Sequence, residues 1–184
     1  LSVYGRSKLA GELALKASCP DQHATLRTSW VFSAHGHNFV KTMLRLAKEK
    51  DSLNIVNDQM GAPTSARLLA DATWHMLAFK DGTVLRQNNG LFHVTSRGET
   101  SWHGFAEAIF SGARSRGVTL AIQTVGAIPS EDYPVPAPRP KNSRLDCQKF
   151  EEVFQYRLAP WQDELSLVLD ELVGKLPSEM PAQG

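Results

Sequence analysis

Short runs of β-forming residues alternate with amphipathic helical segments along most of this 184-residue chain. The runs predicted as strands are 24–32, 53–56, 91–95 and 119–124, and the segments predicted as helices are 2–17, 39–50, 66–79, 102–116, 147–154 and 161–173. This alternation favours an α/β layered arrangement with parallel pairing, because parallel strands need a long crossover connection that a helix usually supplies. Three or four strands are few for a free-standing doubly wound sheet, so the pattern predicts a portion of one.

Composition argues against several classes of protein. Lys and Arg number 20 against 19 for Asp and Glu. The sequence has no clustered basic patch of the kind that marks a nucleic-acid surface. No stretch approaches the roughly 18 consecutive apolar residues of a membrane helix, and no charged-then-apolar leader opens the sequence. The two cysteines, Cys19 and Cys147, lack metal-site spacing. We therefore expect a cytoplasmic protein without a nucleic-acid or membrane partner.

Tyr4 and Lys8 lie one turn apart in the first predicted helix, on which Leu9, Leu13 and Ala17 recur along one side. Residues at i and i+4 share a helix face, with Cβ atoms about 5–6 Å apart. An ammonium group beside a phenol stabilises the phenolate, so the pair suits a general acid that protonates a carbonyl oxygen while a hydride arrives from elsewhere. The same spacing occurs by chance on solvated helices, so both interpretations stay open at this point.

Five motifs give the chain a family resemblance. They are Tyr4-Gly-Arg-Ser-Lys-Leu-Ala-Gly-Glu12, Arg27-Thr-Ser-Trp-Val31, Asn38-Phe-Val-Lys-Thr-Met-Leu44, Asn57-Asp-Gln-Met-Gly-Ala-Pro-Thr64 and Arg139-Pro-Lys-Asn-Ser-Arg-Leu-Asp146. In this order the chain resembles the C-terminal part of the dTDP-4-dehydrorhamnose reductases, which are extended short-chain dehydrogenases/reductases. The resemblance implies reduction of the C4 carbonyl of dTDP-4-dehydro-L-rhamnose by NADPH or NADH, a step in making dTDP-L-rhamnose for surface polysaccharide.

The resemblance also implies a domain organisation. The fold would be the C-terminal portion of a Rossmann-type doubly wound fold plus a smaller α/β substrate-binding domain. Residues 1–32 would be the remnant of the dinucleotide-binding domain with its catalytic helix. Residues 33–175 would be mainly the substrate-binding domain, with some segments returning to the Rossmann sheet, and residues 176–184 a flexible tail.

Carried onto this sequence, the family pattern makes Tyr4 the general acid and Lys8 the residue that hydrogen-bonds the nicotinamide ribose. Ser29 and Val31 would bring backbone close to the nicotinamide. Trp30 would lie against the deoxysugar, offering it a flat apolar face and one N–H donor. The pattern alone favours a core aromatic at Trp30, whereas the resemblance favours the sugar contact.

Further candidate residues lie beyond this strand. Asn38 and Lys41 open a helix whose N-terminus suits a pyrophosphate, although Asn38 also reads as a plain helix cap. Gln59 and Thr64 lie in a loop that either contacts the nucleotide sugar or serves the turn itself. Arg139 either meets a substrate phosphate, which a guanidinium recognises in a bidentate way, or pairs with Asp146 or a neighbouring helix.

A structural role is one interpretation of Arg144 and the favoured one for three tryptophans. Arg144 either meets phosphate as well or pairs with Asp146 or a neighbouring helix. Trp74, Trp102 and Trp161 are predicted to pack in the core. No residue is assigned as a metal ligand. Some family members form magnesium-linked dimers, so the resemblance implies a homodimer with Mg²⁺ at its interface as one possibility.

Two family features are absent from the sequence: the Gly-x-x-Gly-x-x-Gly turn that holds the dinucleotide pyrophosphate, and the upstream Ser or Thr that completes the proton-transfer set. The chain also begins with Leu rather than Met, immediately before the helix of Tyr4. We therefore expect one segment of a longer reductase, which alone binds NADPH poorly. The alternatives are another nucleotide-sugar epimerase or dehydratase using the same Tyr and Lys, and a non-catalytic regulatory protein on the same scaffold.

Overall fold

The structure, a computed structural model, describes residues 2–133 and 139–174. Within these ranges the helices are α1 (Val3–Ser18), α2 (Phe39–Glu49), α3 (Ala66–Ala78), α4 (Thr83–Gln87), α5 (Trp102–Arg114), α6 (Gln148–Phe154) and α7 (Trp161–Leu172). The strands are β1 (Ala24–Arg27), β2 (Val31–Phe32), β3 (Ser52–Val56), β4 (Met60–Gly61), β5 (Thr64–Ser65), β6 (Gly90–His93), β7 (Thr100–Ser101) and β8 (Thr124–Ile128). None of the helices in these ranges combines the length and the apolar character that a bilayer crossing requires. The predicted tail, 176–184, lies outside the described residues.

Parallel pairing dominates the described strands. β1 pairs with β6, from Ala24 opposite Gly90 to Arg27 opposite His93. The pairs β2 with β5 and β3 with β8 are also parallel, and only β4 with β7 is antiparallel. Each pair forms a two-stranded sheet of its own. The predicted α/β class with mostly parallel pairing is confirmed.

The prediction of one strand over 24–32 is wrong. Its first half, β1, pairs with β6, whereas its last two residues, β2, pair with β5. Between them Trp30 has a φ of 50°, in the left-handed region that residues other than glycine rarely occupy. The chain turns there and passes from one sheet to another. Strand propensity could not reveal this turn, because Thr, Trp and Val all favour strands.

The last strand begins later than predicted. Residues 119–124 read as a strand, but β8 starts only at Thr124. Ile122 is 2% exposed, and its N–H donates to the carbonyl of Ala47 near the end of α2, at 3.0 Å. The apolar side chain of Ile122 therefore fills the core beside α2 instead of taking a place in a sheet.

Two hydrophobic clusters hold the elements together. The first cluster lies among β2, α2, β3, α5 and α7, and its buried members are Phe32, Val40, Met43, Ala47, Ile55, Phe105, Ala106, Ile109, Phe110, Ile122, Trp161, Leu165, Val168 and Leu169. The second cluster lies among α3, β6 and α6, and its buried members are Leu68, Ala72, Met76, Phe92, Val94, Phe150, Phe154 and Leu158. Side chains of β1 pack against the second cluster. Full burial of one large apolar side chain contributes about 1.5–3 kcal/mol, so each cluster is a substantial core.

Some apolar side chains are more exposed than the sequence pattern indicates. The helix α1 forms as expected, with Ser2 capping it through the N–H of Gly5 at 3.1 Å. None of its residues is buried, however, and Leu9 and Leu13, which recur along one side of the helix, are 37% and 58% exposed. The prediction that Trp74 packs in the core is wrong, because Trp74 is 73% exposed on α3, whereas Trp161 is buried as predicted. An apolar stripe in a sequence identifies a face but not the surface that covers it.

Candidate functional site

Tyr4 and Lys8 border an open cavity between α1 and β1. The cavity has a volume of about 680 Å³, and its lining includes Tyr4, Lys8, Thr28 and Leu145. It includes the carboxyl end of β1, which is the side of a parallel sheet where α/β proteins bind ligands. The two side chains that the sequence predicted as catalytic therefore face space that a ligand can enter.

The phenol and the ammonium lie together on one helix face. The Nζ atom of Lys8 is 5.5 Å from the centroid of the Tyr4 ring, and Tyr4 is 72% exposed. This confirms the shared face that the i, i+4 spacing predicts. Because the helix fixes the spacing of the two groups, one bound molecule can contact both.

A two-pronged ion pair anchors α1 to β1. Arg27 donates from Nε to Oε1 of Glu12 at 2.8 Å and from Nη2 to Oε2 at 2.6 Å. These hydrogen bonds, opposed by desolvation and supported by the charge of Arg27, lower the pKa of the Glu12 carboxyl below its usual value. Since α1 buries no side chain, this pair is a principal contact between the helix of Tyr4 and the sheet.

The residues predicted to approach the nicotinamide lie at the break between β1 and β2. The hydroxyl of Ser29 is buried and has no hydrogen-bond partner among the described residues. Val31 begins β2 and is 47% exposed. The role of Ser29 and Val31 towards a cofactor stays a prediction. The unpaired hydroxyl of Ser29 is consistent with it, because a polar group without a partner lies at the expected place.

Trp30 is half-buried between two neighbours. Its ring lies 3.7 Å from that of Trp102, centroid to centroid, with the planes inclined by 14°. A Cβ atom placed on Gly61 would lie 2.6 Å from Cε2 of Trp30 and within 3.0 Å of two further ring atoms. The contact of a sugar with the flat face of Trp30, as predicted from the sequence, thus has little open face in this geometry.

Asn38 caps α2 and orders the loop before it. Its Oδ1 accepts from the N–H of Lys41 at 3.3 Å, and its Nδ2 donates to the carbonyls of Ser33 and His35 at 2.8 and 3.1 Å. The capping alternative for Asn38 is confirmed. Lys41 is half-exposed and pairs with no carboxylate among the described residues, so its charge is available at the helix start.

A second cavity, of about 440 Å³, lies beside the start of α2. Aromatic, aliphatic and polar side chains line it: Val31, Phe39, Thr42, Met43, Leu46, Asn54, Ile55, Val56, Gln59, Trp102, Tyr133 and Arg139. Arg139 brings a guanidinium to the wall, and Phe39 and Tyr133 bring aromatic rings. This composition suits a flat heterocycle joined to an anionic group.

Gln59 and Thr64 are less accessible than predicted, because the loop that holds them contains β4 and the start of β5. Gln59 is 7% exposed and uses both ends of its amide within the protein, accepting from Nε1 of Trp102 at 3.2 Å and donating to Oγ of Ser130 at 2.9 Å. Thr64 is 0% exposed, and its hydroxyl bonds the carbonyl of Ala62 and a backbone N–H. This geometry does not support a substrate contact by the Thr64 side chain.

A polar cluster lies behind Gln59. The carboxylate of Asp58 accepts from both the N–H and the hydroxyl of Ser130 and pairs with Nζ of Lys141 at 3.0 Å. The hydroxyl of Ser130 is the largest cause that lowers the pKa of Asp58, and Lys141 adds to the effect. The cluster joins the β3–β4 turn to the segment that follows β8.

Arg144 is engaged elsewhere. Its Nη1 donates to Oε2 of Glu99 at 2.9 Å and its Nε to Oδ1 of Asn142 at 2.9 Å. Asp146 instead accepts from the N–H of Gln148. In residues 2–133 and 139–174, no group of three or more His, Cys, Asp or Glu could hold a metal ion. Magnesium at a dimer interface stays a prediction without support here.

Sequence reasoning missed Trp102 as part of the site. It was assigned to core packing from its position on an amphipathic helix, and its half-buried ring does contact Phe39 at 4.6 Å between centroids. Nothing in its local sequence indicates that it also stacks on Trp30, 72 positions away in the numbering. Only the tertiary structure brings the two indoles together.

Comparisons with known proteins agree with these observations. The dTDP-4-dehydrorhamnose reductase of Salmonella typhimurium is 47% identical over 172 residues, which cover 94% of this chain and 56% of that protein. The corresponding reductase of Burkholderia thailandensis is 44% identical over 183 residues, 60% of its length. The chain therefore spans little more than half the length of the curated relatives it matches.

Solved structures give the same result for the fold. The Bacillus anthracis dTDP-4-dehydrorhamnose reductase, in complex with NADP, superposes with a TM-score of 0.80 at 30% identity, covering 92% of this chain and 56% of that one. The Clostridium acetobutylicum relative has a TM-score of 0.80 at 35% identity. A UDP-galactose 4-epimerase, at 14% identity and a TM-score of 0.70, shares the fold. Residues 1–173 match the family described as the RmlD substrate binding domain. The predicted resemblance is thus confirmed, and the chain belongs to the RmlD substrate-binding domain family.

Proposed function

We propose that this chain carries the proton donor and most of the sugar-nucleotide site of a reductase that converts dTDP-4-dehydro-L-rhamnose to dTDP-L-rhamnose. One observation carries the proposal: Tyr4 and Lys8 share a face of α1 and border an open cavity of about 680 Å³. The homology to dTDP-4-dehydrorhamnose reductases supports the choice of substrate. The activity of those relatives belongs to chains of which this one matches 56%.

We further propose that the two hydrophobic clusters correspond to two functional parts. The second cluster, with α1, β1, α3, β6 and α6, would form the side that faces the dinucleotide. The first cluster, with α2, β3, α5, β8 and α7, would form the substrate-binding part. This division modifies the simple boundary after residue 32, because segments of both parts alternate along the chain.

The residues present fit the nicotinamide end of NADPH or NADH. Tyr4 is exposed at the open cavity, the ammonium of Lys8 lies beside its ring, and the unpaired hydroxyl of Ser29 lies at the nearby strand break. When bound, the dinucleotide would supply the hydride. The sequence contains no glycine-rich turn for its pyrophosphate, so this chain contributes only part of the cofactor site.

The chemistry of the chain's own residues is proton transfer. The phenol of Tyr4 gives its proton to the C4 carbonyl oxygen as the carbon accepts the hydride, so the ketone becomes an alcohol and Tyr4 becomes a phenolate. The ammonium of Lys8 stabilises that phenolate and donates to a ribose hydroxyl. Placement of a general acid of this kind contributes about 10²–10⁴-fold to the rate.

The nucleotide would occupy the second cavity. Its aromatic walls suit the thymine ring, while Arg139 and the start of α2, with Lys41, suit the two phosphates. Trp30 lines neither cavity, but Thr28 lines the first and Val31 the second. We therefore place the hexose beside Trp30, between the nucleotide and Tyr4.

The test uses turnover and binding together. In a chimera, residues 1–173 of this chain replace the matching part of the Salmonella typhimurium reductase, and reduced nicotinamide absorbance is followed with dTDP-4-dehydro-L-rhamnose. Tyr4→Phe is expected to lower turnover about 10²–10⁴-fold. Tyr156→Phe is the control, because Tyr156 packs against His75 and Phe150, away from both cavities.

Two outcomes would count against the proposal. Full activity of the Tyr4→Phe chimera would remove Tyr4 from the chemistry. Product formed without net consumption of NADPH would indicate an epimerase or dehydratase, since those enzymes return the hydride to the bound cofactor. The isolated chain is expected to turn over little.

A further inference from the structure

The backbone at Trp30 is strained in a way that requires support. A φ of 50° at a residue other than glycine costs about 1–3 kcal/mol. The carbonyl of Trp30 accepts from the N–H of Thr64 at 3.2 Å, which ties this conformation to β5. The direction in which the indole leaves the backbone is therefore set by the turn between β1 and β2.

Both faces of the indole are covered by protein. Trp102 stacks on one face, with the ring centroids 3.7 Å apart. A Cβ atom on Gly61 would stand 2.6 Å from Cε2, 2.9 Å from Cζ2 and 3.0 Å from Cδ2. Because Cε2 lies at the fused centre of the indole, these three distances describe an approach to the face of the ring. One face cannot hold both neighbours, so Gly61 and Trp102 lie on opposite sides.

Trp102 is itself fixed in place. Its indole N–H donates to Oε1 of Gln59 at 3.2 Å, and Gln59 is held in turn by the hydroxyl of Ser130. Phe39 contacts the Trp102 ring at a tilt of 50°. The indole N–H of Trp30 differs, since it finds no acceptor in residues 2–133 and 139–174 and is not sealed from solvent.

We propose that Trp102 is a positioning residue that, with Gly61 as the opposing wall, holds Trp30 so that its edge and N–H meet the hexose of the nucleotide sugar. The inference rests on the function proposed above and adds a specificity determinant to it. The N–H of Trp30 donates to an oxygen of the sugar, and the clamp fixes the direction of that hydrogen bond. A free indole could stack on many rings, whereas a clamped one selects a sugar with an oxygen at the right place.

The first measurement detects the clamp itself. Stacked indoles give an exciton-coupled band in circular dichroism, which the full chain is expected to show. Trp102→Leu and Trp30→Phe should abolish the band, and Gly61→Ala should weaken it by displacing Trp30. Trp74→Leu is the matched control, because this exposed tryptophan on α3 lies outside the stack and its loss should leave the band intact.

The second measurement connects the clamp to the sugar. Calorimetry gives the affinity of each full-length variant for dTDP and for dTDP-L-rhamnose, and the ratio of the two isolates the gain due to the sugar. Trp102→Leu, Gly61→Ala and Trp30→Phe should each reduce that gain about tenfold, the effect of one lost hydrogen bond to a fixed donor. Trp102→Phe should restore most of it, since a phenyl ring still covers the face of Trp30. Using the ratio cancels any effect of Trp102 on the nucleotide cavity, whose wall it shares.

The outcomes separate the two proposals. If the wild-type chain shows a sugar-dependent gain that Trp102→Leu and Gly61→Ala both preserve, the clamp has no role and the inference fails alone. If the wild-type chain binds dTDP without any gain from the sugar, the proposed function fails with it. Loss of the gain in Trp102→Leu with no rescue by Trp102→Phe would also overturn the positioning role.

Discussion

The guanidinium of Arg27, at the end of β1, donates a hydrogen bond to each carboxylate oxygen of Glu12, at 2.8 and 2.6 Å. Tyr4 and Lys8 lie on the same helix as Glu12, two turns and one turn before it. The ion pair thus sets the position of the proton donor relative to the sheet, although neither Arg27 nor Glu12 takes part in the proposed chemistry.

Breaking this pair is expected to loosen α1. The helix α1 has no buried side chain, and Arg27→Met also removes its bidentate contact with β1. The backbone amides of α1 should therefore exchange hydrogen faster, as measured by mass spectrometry, while those of β1 change less. Arg45→Met is the matched control, because it breaks the exposed pair with Glu49 inside α2. Unchanged exchange in α1 would show that other contacts hold the helix.

Removing the Ser65 hydroxyl is expected to destabilise the fold. Ser65 caps α3 through the N–H of Leu68 and donates to Glu164, whose carboxylate is buried. Ser65→Ala removes a helix cap and leaves a buried acceptor unpaired, which should lower the free energy of unfolding by about 2–4 kcal/mol. Urea denaturation measures this change. Ser101 caps α5 but donates to Asn57 instead of a carboxylate, so Ser101→Ala should cost less, and an equal cost would contradict the role of the contact with Glu164.

The Asp58 cluster predicts a pH-dependent contribution to stability. The pKa of Asp58 in the folded chain is lowered from its ordinary value of 3.8, so its contribution is fully present above that value and is lost as the pH falls through the folded pKa. The difference in unfolding free energy between the wild type and Asp58→Asn should therefore be largest near pH 7 and shrink by about pH 3. Asp21→Asn, at an exposed position, is the control. A difference that grows on acidification would have the wrong sign.

Lys41 is expected to contribute to phosphate binding. Lys41→Met removes the charge at the start of α2 and should weaken dTDP binding about tenfold at low salt, with a smaller effect at high salt. Lys48→Met, in the last turn of the same helix, should leave the affinity nearly unchanged. Equal losses in both variants would indicate a general electrostatic effect instead of a phosphate site.

Local patterns predicted the helices well and the strands less well. Asn38 and Ser101 predict where their helices begin, because helix capping depends only on a few neighbouring residues. The break at Trp30 depends on partners distant in sequence, β5 and β6, so no local pattern reveals it. The spacing of Tyr4 and Lys8 predicted their shared face because one helix contains both. The pairing of Trp30 with Trp102 and the burial of Thr64 required the tertiary structure.

The two hydrophobic clusters draw alternately on successive stretches of the polypeptide: Phe32 to Ile55 belong to the first, Leu68 to Val94 to the second, Phe105 to Ile122 to the first again, and so on to Leu169. The second cluster cannot be completed until α6 has been synthesised, and the first cluster cannot be completed until α7 has been synthesised. Folding must therefore bring together segments of high sequence separation, which slows it. A ribosome-bound intermediate that stops before α7 would still expose apolar surface of the first cluster.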